Sequence, residues 1–118
     1  MPFDPLVSNA GRLRILAALA SEPAQPFVHL RRATGLTDGN LATHARRLES
    51  AGLVAIEKTI TNGKPLTTLH LTPTGRSALA AHARALLAAL DAAPIGPREL
   101  PHAEPSFAHA AIADDWVD

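Results

Sequence analysis

The chain has no cysteine. That absence excludes disulfides, thiol redox sensing, cysteine zinc fingers and cysteine-based metal sensing. No apolar run approaches the length that crosses a bilayer, and the opening MPFDP lacks the basic-then-apolar pattern of an export signal. A cytoplasmic protein with no membrane partner is the expectation. Aromatics are scarce, with three Phe, one Trp and no Tyr, so the core has to be built from Leu, Ile, Val and Ala. At 118 residues there is room for one modest core, and burial against a second subunit would add what so small a domain needs. The glycines are scattered and none precedes a Lys-Ser or Lys-Thr pair, so there is no phosphate loop. His29, His44, His70, His82, His102 and His109 form no His-x-x-x-His pair on an expected helix and no Glu-x-x-His. Only His82, on a long helix, leaves a cross-dimer metal site conceivable. No catalytic constellation stands out, so the chain reads as neither an enzyme nor a cofactor or metal protein.

A net charge of zero conceals an uneven distribution. Residues 1–93 hold ten Arg and Lys against six Asp and Glu, while residues 94–118 hold one Arg against five acids. A basic body and an acidic tail cancel.

The densest signal lies between Phe27 and Val54, in FVHLRRATGLTDGNLATHARRLESAGLV. A first helix carries Phe27, Leu30 and Ala33 on its apolar face and ends at Gly35. Leu36 anchors the turn. Thr37 is a good N-cap for a second helix. That helix places Leu41, Ala45 and Leu48 at i, i+4 and i+7 on one face and ends at Gly52. Its opposite face carries Gly39, Asn40, Thr43, Arg46 and Arg47. Small, polar and basic residues facing away from the core suit the DNA major groove, where a short helix brings side chains to base edges and phosphates. A compact two-helix corner with a solvated basic face would show the same pattern. His44 flanks this face, where it could bond phosphate or pack beside the neighbouring helix.

The residues after Gly52 favour the DNA-binding reading. LVAIEKTI, TNGKP and LTTLHLT read as strand, turn and strand. The first strand alternates through Val54, Ile56, Lys58 and Ile60, and the second through Leu69 and Leu71. Asn62-Gly63 is a strong hairpin signal, and Lys64 sits at its tip. A helix-turn-helix joined directly to a basic-tipped hairpin is the winged arrangement, in which Lys64 contacts phosphate or the minor groove.

Taken together, this stretch, the GKP wing and the closing LTPTGRSAL resemble the bacterial winged-helix transcriptional regulators, most of all the small MarR-like, single-domain winged helix DNA-binding group. RLRILAAL resembles helix 1 of ArsR and MarR regulators. The resemblance spans residues 4–92. It implies a transcriptional regulator, a repressor, acting as a homodimer on a pseudo-palindromic operator. It assigns Asn40, Thr43, Arg46 and Arg47 to recognition-helix contacts and Lys64 to the wing contact; Thr37, Gly39 and His44 complete the expected DNA-facing set. Ala42 stands where relatives often have Ser or Thr. Ala45 stands where a larger apolar residue is usual, which thins the core there. The wing holds one Lys in place of the Asp-x-Arg pattern of many MarR proteins. A winged-helix module used only for protein contacts, and a regulator responsive to a metal or an unidentified small-molecule effector, are the alternatives.

The expected fold is mainly α with a small β-hairpin, a winged helix-turn-helix with a long C-terminal dimerisation helix. A first helix starts after Asp4-Pro5 and ends near Ala20. Its stripes, Leu6, Leu13, Leu16, Ala17 and Ala20 on one side and Ile15 and Leu19 on the other, suit burial on two sides, against the rest of the domain and a partner or within one larger core. Ser21–Pro26 reads as a loop with Pro26 opening the next helix. The last helix runs from Pro73, after a Thr72 cap, to about Ala92, with Leu79, Ala83, Leu86, Leu87 and Leu90 in one stripe. The expected dimer interface comprises that stripe with Leu6 and Leu13. The domain is taken as residues 1–93. Pro94, Pro97, Pro101 and Pro105 mark residues 94–118 as a linker and tail, in which Ala108, Ile112 and Trp116 are spaced for a short helix and the nearby acids oppose its dipole. The tail reads either as a docking peptide or as an unstructured end.

Overall fold

The computed structural model describes residues 3–92. The expected tail and its boundary at residue 93 lie outside them. The chain runs α1 (Pro5–Ser8), α2 (Ala10–Ser21), β1 (Ala24–Pro26), α3 (Phe27–Thr34), α4 (Asp38–Ser50), β2 (Val54–Thr61), β3 (Lys64–Leu71) and α5 (Pro73–Ala92). This is a winged helix, mostly helical, with a small antiparallel sheet and a long last helix.

The expected first helix is two. Asp4 caps α1 through Leu6 N–H, and Asn9 stops it with an extended backbone. The Asn9 side chain then accepts the Arg12 N–H at 3.1 Å and starts α2. The sheet has three strands in the order β1-β3-β2, where the sequence suggests a hairpin alone. The loop expected at residues 21–26 supplies β1, which pairs Ala24, Gln25 and Pro26 with His70, Leu69 and Thr68. Gln25 is buried and its amide donates to the Ala18 and Glu22 carbonyls, both at 2.8 Å, tying β1 to the end of α2. Pro26 is the N-cap of α3 rather than its first residue.

The hairpin is tighter than TNGKP suggests. Thr61 pairs with Lys64, so the turn is Asn62-Gly63 alone. Both residues have positive φ, 53° and 77°, the backbone that a two-residue turn matched to strand twist requires. Pro65 belongs to β3, beyond the part that β1 covers, where its missing N–H leaves no ladder bond unmade.

One core gathers Ile15, Leu16 and Leu19 of α2 with Leu30, Leu36, Leu41, Leu48, Val54 and Leu69. Ile15, Leu16 and Leu19 are fully buried together, so a single core covers both stripes of the first helical segment; Ala17 is exposed. Ala33, expected on the apolar face of α3, is exposed too. Leu6, Leu13 and Leu79, expected at a dimer interface, are partly buried against this same core. Leu86, Leu87 and Leu90 are 48%, 61% and 60% exposed, and Ala83 is exposed beside them. The second half of α5 therefore runs past what the other described residues cover.

Candidate nucleic-acid interface

The helix pair α3–α4 is held as a rigid corner by three local devices. Thr34 is buried; its hydroxyl donates to the Leu30 carbonyl at 2.6 Å and accepts the Leu36 N–H at 3.3 Å. Leu36 seats the turn in the core. Thr37 Oγ1 accepts the Asn40 N–H at 3.1 Å, capping α4 as the sequence suggests. Asp38, in the first turn where the helix dipole favours a carboxylate, pairs with Arg31 at 3.2 Å. Both partners are exposed, so the pair orients the turn more than it stabilises it.

Leu41, Ala45 and Leu48 of α4 are buried. Thr37, Gly39, Thr43, Arg46 and Arg47 are exposed, and Asn40 is half-buried at the edge of that face. The capped helix thus carries a polar, basic surface with the small Gly39 at its start. The two arginines diverge. Arg46 lies on the sheet side, where it lines a groove with Lys58. Arg47 lies on the α2 side, close enough to perturb both Arg12 and His44. Lys64 is exposed at the tip of the hairpin, the wing, and Ile60 near it is 78% exposed.

His44 does not join the exposed face. Its ring turns back toward α2, where Arg12 Nη1 approaches Nδ1 at 3.3 Å. Arg12 is buried, and its Nε also donates to the Leu6 carbonyl at 2.7 Å, with Nη2 toward the Pro5 carbonyl. A guanidinium only donates, so His44 Nδ1 accepts and the ring is neutral with its proton on Nε2. Burial, then Arg12, then Arg47 push the His44 pKa below its ordinary 6.5. Arg12 is also held below its usual value, by burial first and then by Arg47. Arg12 is thus a latch between the chain's first turns and α4. Nothing in the spacing of RLRILAALA singles it out.

A lowered histidine pKa makes stability depend on pH. The unfolded chain binds the proton more readily, so the stability from neutral His44 is fully present above 6.5 and lost as pH falls through the depressed folded value. Between pH 7.5 and 5 the thermal midpoint of the protein is expected to fall more than that of His44→Gln, whose amide oxygen accepts from Arg12 at any pH. Equal slopes in calorimetry would remove His44 as the cause.

The groove between α4 and the sheet has a volume of about 500 Å³. Phe27, Ala45, Ile56 and Leu69 form its apolar floor, and Ala42, Arg46, Glu49 and Lys58 border it. The small side chains of Ala42 and Ala45 leave it unfilled, the structural form of the thin core that the sequence suggests. Lys58 has no site role among the sequence-based expectations; the signal that could have found it is its place one step past the core in the Val54–Ile56 alternation. Among the described residues, no group of three or more His, Asp or Glu side chains could hold a metal, and no helix is long and apolar enough to cross a membrane.

Known proteins resemble this chain in sequence or in structure. An uncharacterized protein of Methanocaldococcus jannaschii is 34% identical over 73 residues, covering 62% of this chain and 79% of that one. The solved structure of a transcriptional regulator homologue protein from Pyrococcus horikoshii OT3 superposes with a TM-score of 0.69 at 32% identity, over 73% of this chain and 85% of that one. A MarR-family transcriptional regulator from Silicibacter pomeroyi shares the fold at 21% identity, with a TM-score of 0.59 over 92% of this chain and 68% of its own. The family model for the winged helix DNA-binding domain matches residues 12–90. That range takes in the capped α4, the wing and most of α5, and the chain belongs to the winged helix DNA-binding domain family, with the MarR-like fold of DNA-binding transcriptional regulators.

Proposed function

We propose that the chain is a sequence-specific repressor that binds a pseudo-palindromic operator as a homodimer. The observation that carries this is the outward face of α4, where Thr43, Arg46 and Arg47 stand exposed on a helix capped and anchored by Thr37 and Leu36. Asn40, Thr43 and one of the two arginines read bases; the other arginine holds phosphate. Asparagine suits adenine, and arginine suits guanine, by paired hydrogen bonds in the major groove. Thr37 and Gly39 let the helix N-terminus approach the backbone closely. Lys64 adds a contact that is independent of sequence, and His44 acts from behind by fixing α4 rather than by touching DNA.

The exposed Leu86, Leu87 and Leu90 support the dimer, with α5 pairing across the axis. Two recognition helices then sit roughly 34 Å apart, one turn of DNA. A dimer seated across such a site excludes other proteins from it, hence repression. The described residues also carry a surplus of four positive charges, ten against six, which a module for protein contacts alone has no need to retain.

Mobility-shift titrations with the upstream region of the protein's own gene, and with random DNA, test the reading. Arg46→Ala and Arg47→Ala are each expected to weaken operator binding by about 1–3 kcal/mol. Lys64→Ala is expected to weaken operator and random DNA alike and to lower the salt slope by about one per subunit. If both arginine variants bind like the parent protein, α4 is not the reading helix.

A further inference from the structure

We propose that the groove between α4 and the sheet is the docking site of the chain's own acidic C-terminal segment, centred on Ile112 and Trp116, which competes there with DNA. The docking stands on the groove and the charge distribution; the competition rests on the function proposed above.

The groove presents an apolar floor beside a basic face. Phe27 and Ile56 are only half-buried, and among the described residues none fills the space that Ala42 and Ala45 leave open. Nucleic acid does not bury such a floor, because phosphates and sugars keep their water. Its border carries two cations, Arg46 and Lys58, against one acid, Glu49. The matching occupant is a short segment with one or two large apolar side chains among carboxylates. The sequence contains one: Ile112 and Trp116 enclose Asp114 and Asp115, Asp118 comes two positions later, and residues 94–118 hold five acids against one arginine.

Reach is sufficient. α5 ends at Ala92, and Ile112 is 20 residues further on. Those residues span about 66 Å when extended, more than the 61 Å longest dimension of the molecule. A tethered segment also acts at a high effective concentration, so a weak contact is populated.

Other surfaces fit less well. The exposed leucines of α5 are accompanied by Arg84 and Asp91, which offer the acids no positive surplus. A second hollow, between α2 and α3, is lined by Ala17, Ala18, Ser21 and Ala33 with Arg14 and Glu22, and has no large apolar side chain to meet an indole. In the groove, Arg46 and Lys58 serve either the tail's carboxylates or phosphate, so occupation by one excludes the other.

Trp116 is the only tryptophan, and the chain has no tyrosine, so intrinsic fluorescence reports the tail alone. In the full-length protein without DNA, its emission is expected to be blue-shifted and protected from acrylamide. Lys58→Glu, and separately the doubly substituted Asp114→Lys, Asp115→Lys protein, should shift the emission toward that of free tryptophan. Combining the two sets restores it. Operator DNA should release the indole in the parent protein, and truncation after Ala93 should tighten DNA binding several-fold at low salt. A fully solvated indole in the parent protein overturns the docking. A buried indole insensitive to both charge changes overturns the groove as its site. DNA binding that leaves the emission unchanged overturns the competition. If the charge changes act as stated but neither full-length nor truncated protein binds DNA, docking stands and the regulatory reading falls.

Discussion

Leu87→Glu is expected to convert the protein to a monomer and to lower operator affinity by about 10²–10⁴-fold, the range over which linking two binding events raises avidity. Leu87 is 61% exposed on α5, between Leu86 and Leu90, which are similarly open. Three leucines exposed over little more than one helical turn form an apolar surface that the other described residues do not cover. Buried against a symmetry mate, such a surface contributes roughly 25 cal/mol for each Å² removed from water. A carboxylate at its centre has to be desolvated without a partner, which costs more than the lost packing. The variant should still fold, since Leu87 makes no part of the core that Leu79 joins. Sedimentation at micromolar concentration checks the first half and a mobility shift the second. A Leu87→Glu protein that stays dimeric and binds its operator normally would place the dimer contacts elsewhere.

The effect would be large because the proposed dimer is a geometric device as well as a stabilising one. In that proposal one α4 covers one half-site. Two of them held a helical turn apart would read both, and the second binding event would become intramolecular. The same logic would tie Arg12 to function. It holds the Pro5 and Leu6 carbonyls, in the segment beside α5, to His44 on α4. The segment that packs near the proposed dimer helix is therefore fastened to the helix proposed to meet DNA.

How much of this was legible depended on the range of the interaction. The face of α4, its Thr37 cap, the Asn62-Gly63 turn and the extent of α5 are set by spacings of a few residues, and those elements stand where the sequence places them. β1 did not announce itself. It is three residues with a proline at its end, and it is a strand only because β3 offers an edge some 45 positions further along. Asn9 divides the first helix because its side chain caps backbone locally, a competition that an apolar stripe does not reveal. Arg12 and His44 are 32 positions apart, and one guanidinium inside an apolar helix looks like any solvated charge until its three acceptors are seen. Lys58 was half legible: alternation puts it on the groove face, but only the small Ala42 and Ala45 opposite show that a groove is there.

Gly75→Ala is expected to destabilise the domain by about 3 kcal/mol, the upper part of the usual range for overpacking. For a domain of this size that lowers the thermal midpoint by roughly 12 °C or more. Gly75 lies in the first turn of α5 and is buried. A methyl group there would overlap the Leu53 carbonyl oxygen and crowd the Leu71 side chain. The Leu71 methyl can give way, but the Leu53 carbonyl is backbone and is held in place. Its oxygen accepts the Thr72 N–H at 3.2 Å, while Thr72 Oγ1 donates to the Gly52 carbonyl at 2.6 Å and accepts the Gly75 N–H at 2.9 Å. Relief would have to break this clasp, which sets the direction in which α5 leaves the wing. Helix propensity acts the other way, since alanine is favoured over glycine by about 1 kcal/mol within a helix; the overlap wins because it involves backbone. Gly39→Ala isolates the propensity effect. A methyl at Gly39 meets nothing within 4 Å, so that variant is expected to gain about 0.5–1 kcal/mol in thermal unfolding. Were Gly75→Ala to melt at or above the parent protein while Gly39→Ala behaved as stated, the tight seat of α5 on Leu53 would be wrong, and with it the fixed angle between the wing and the helix proposed to carry the dimer.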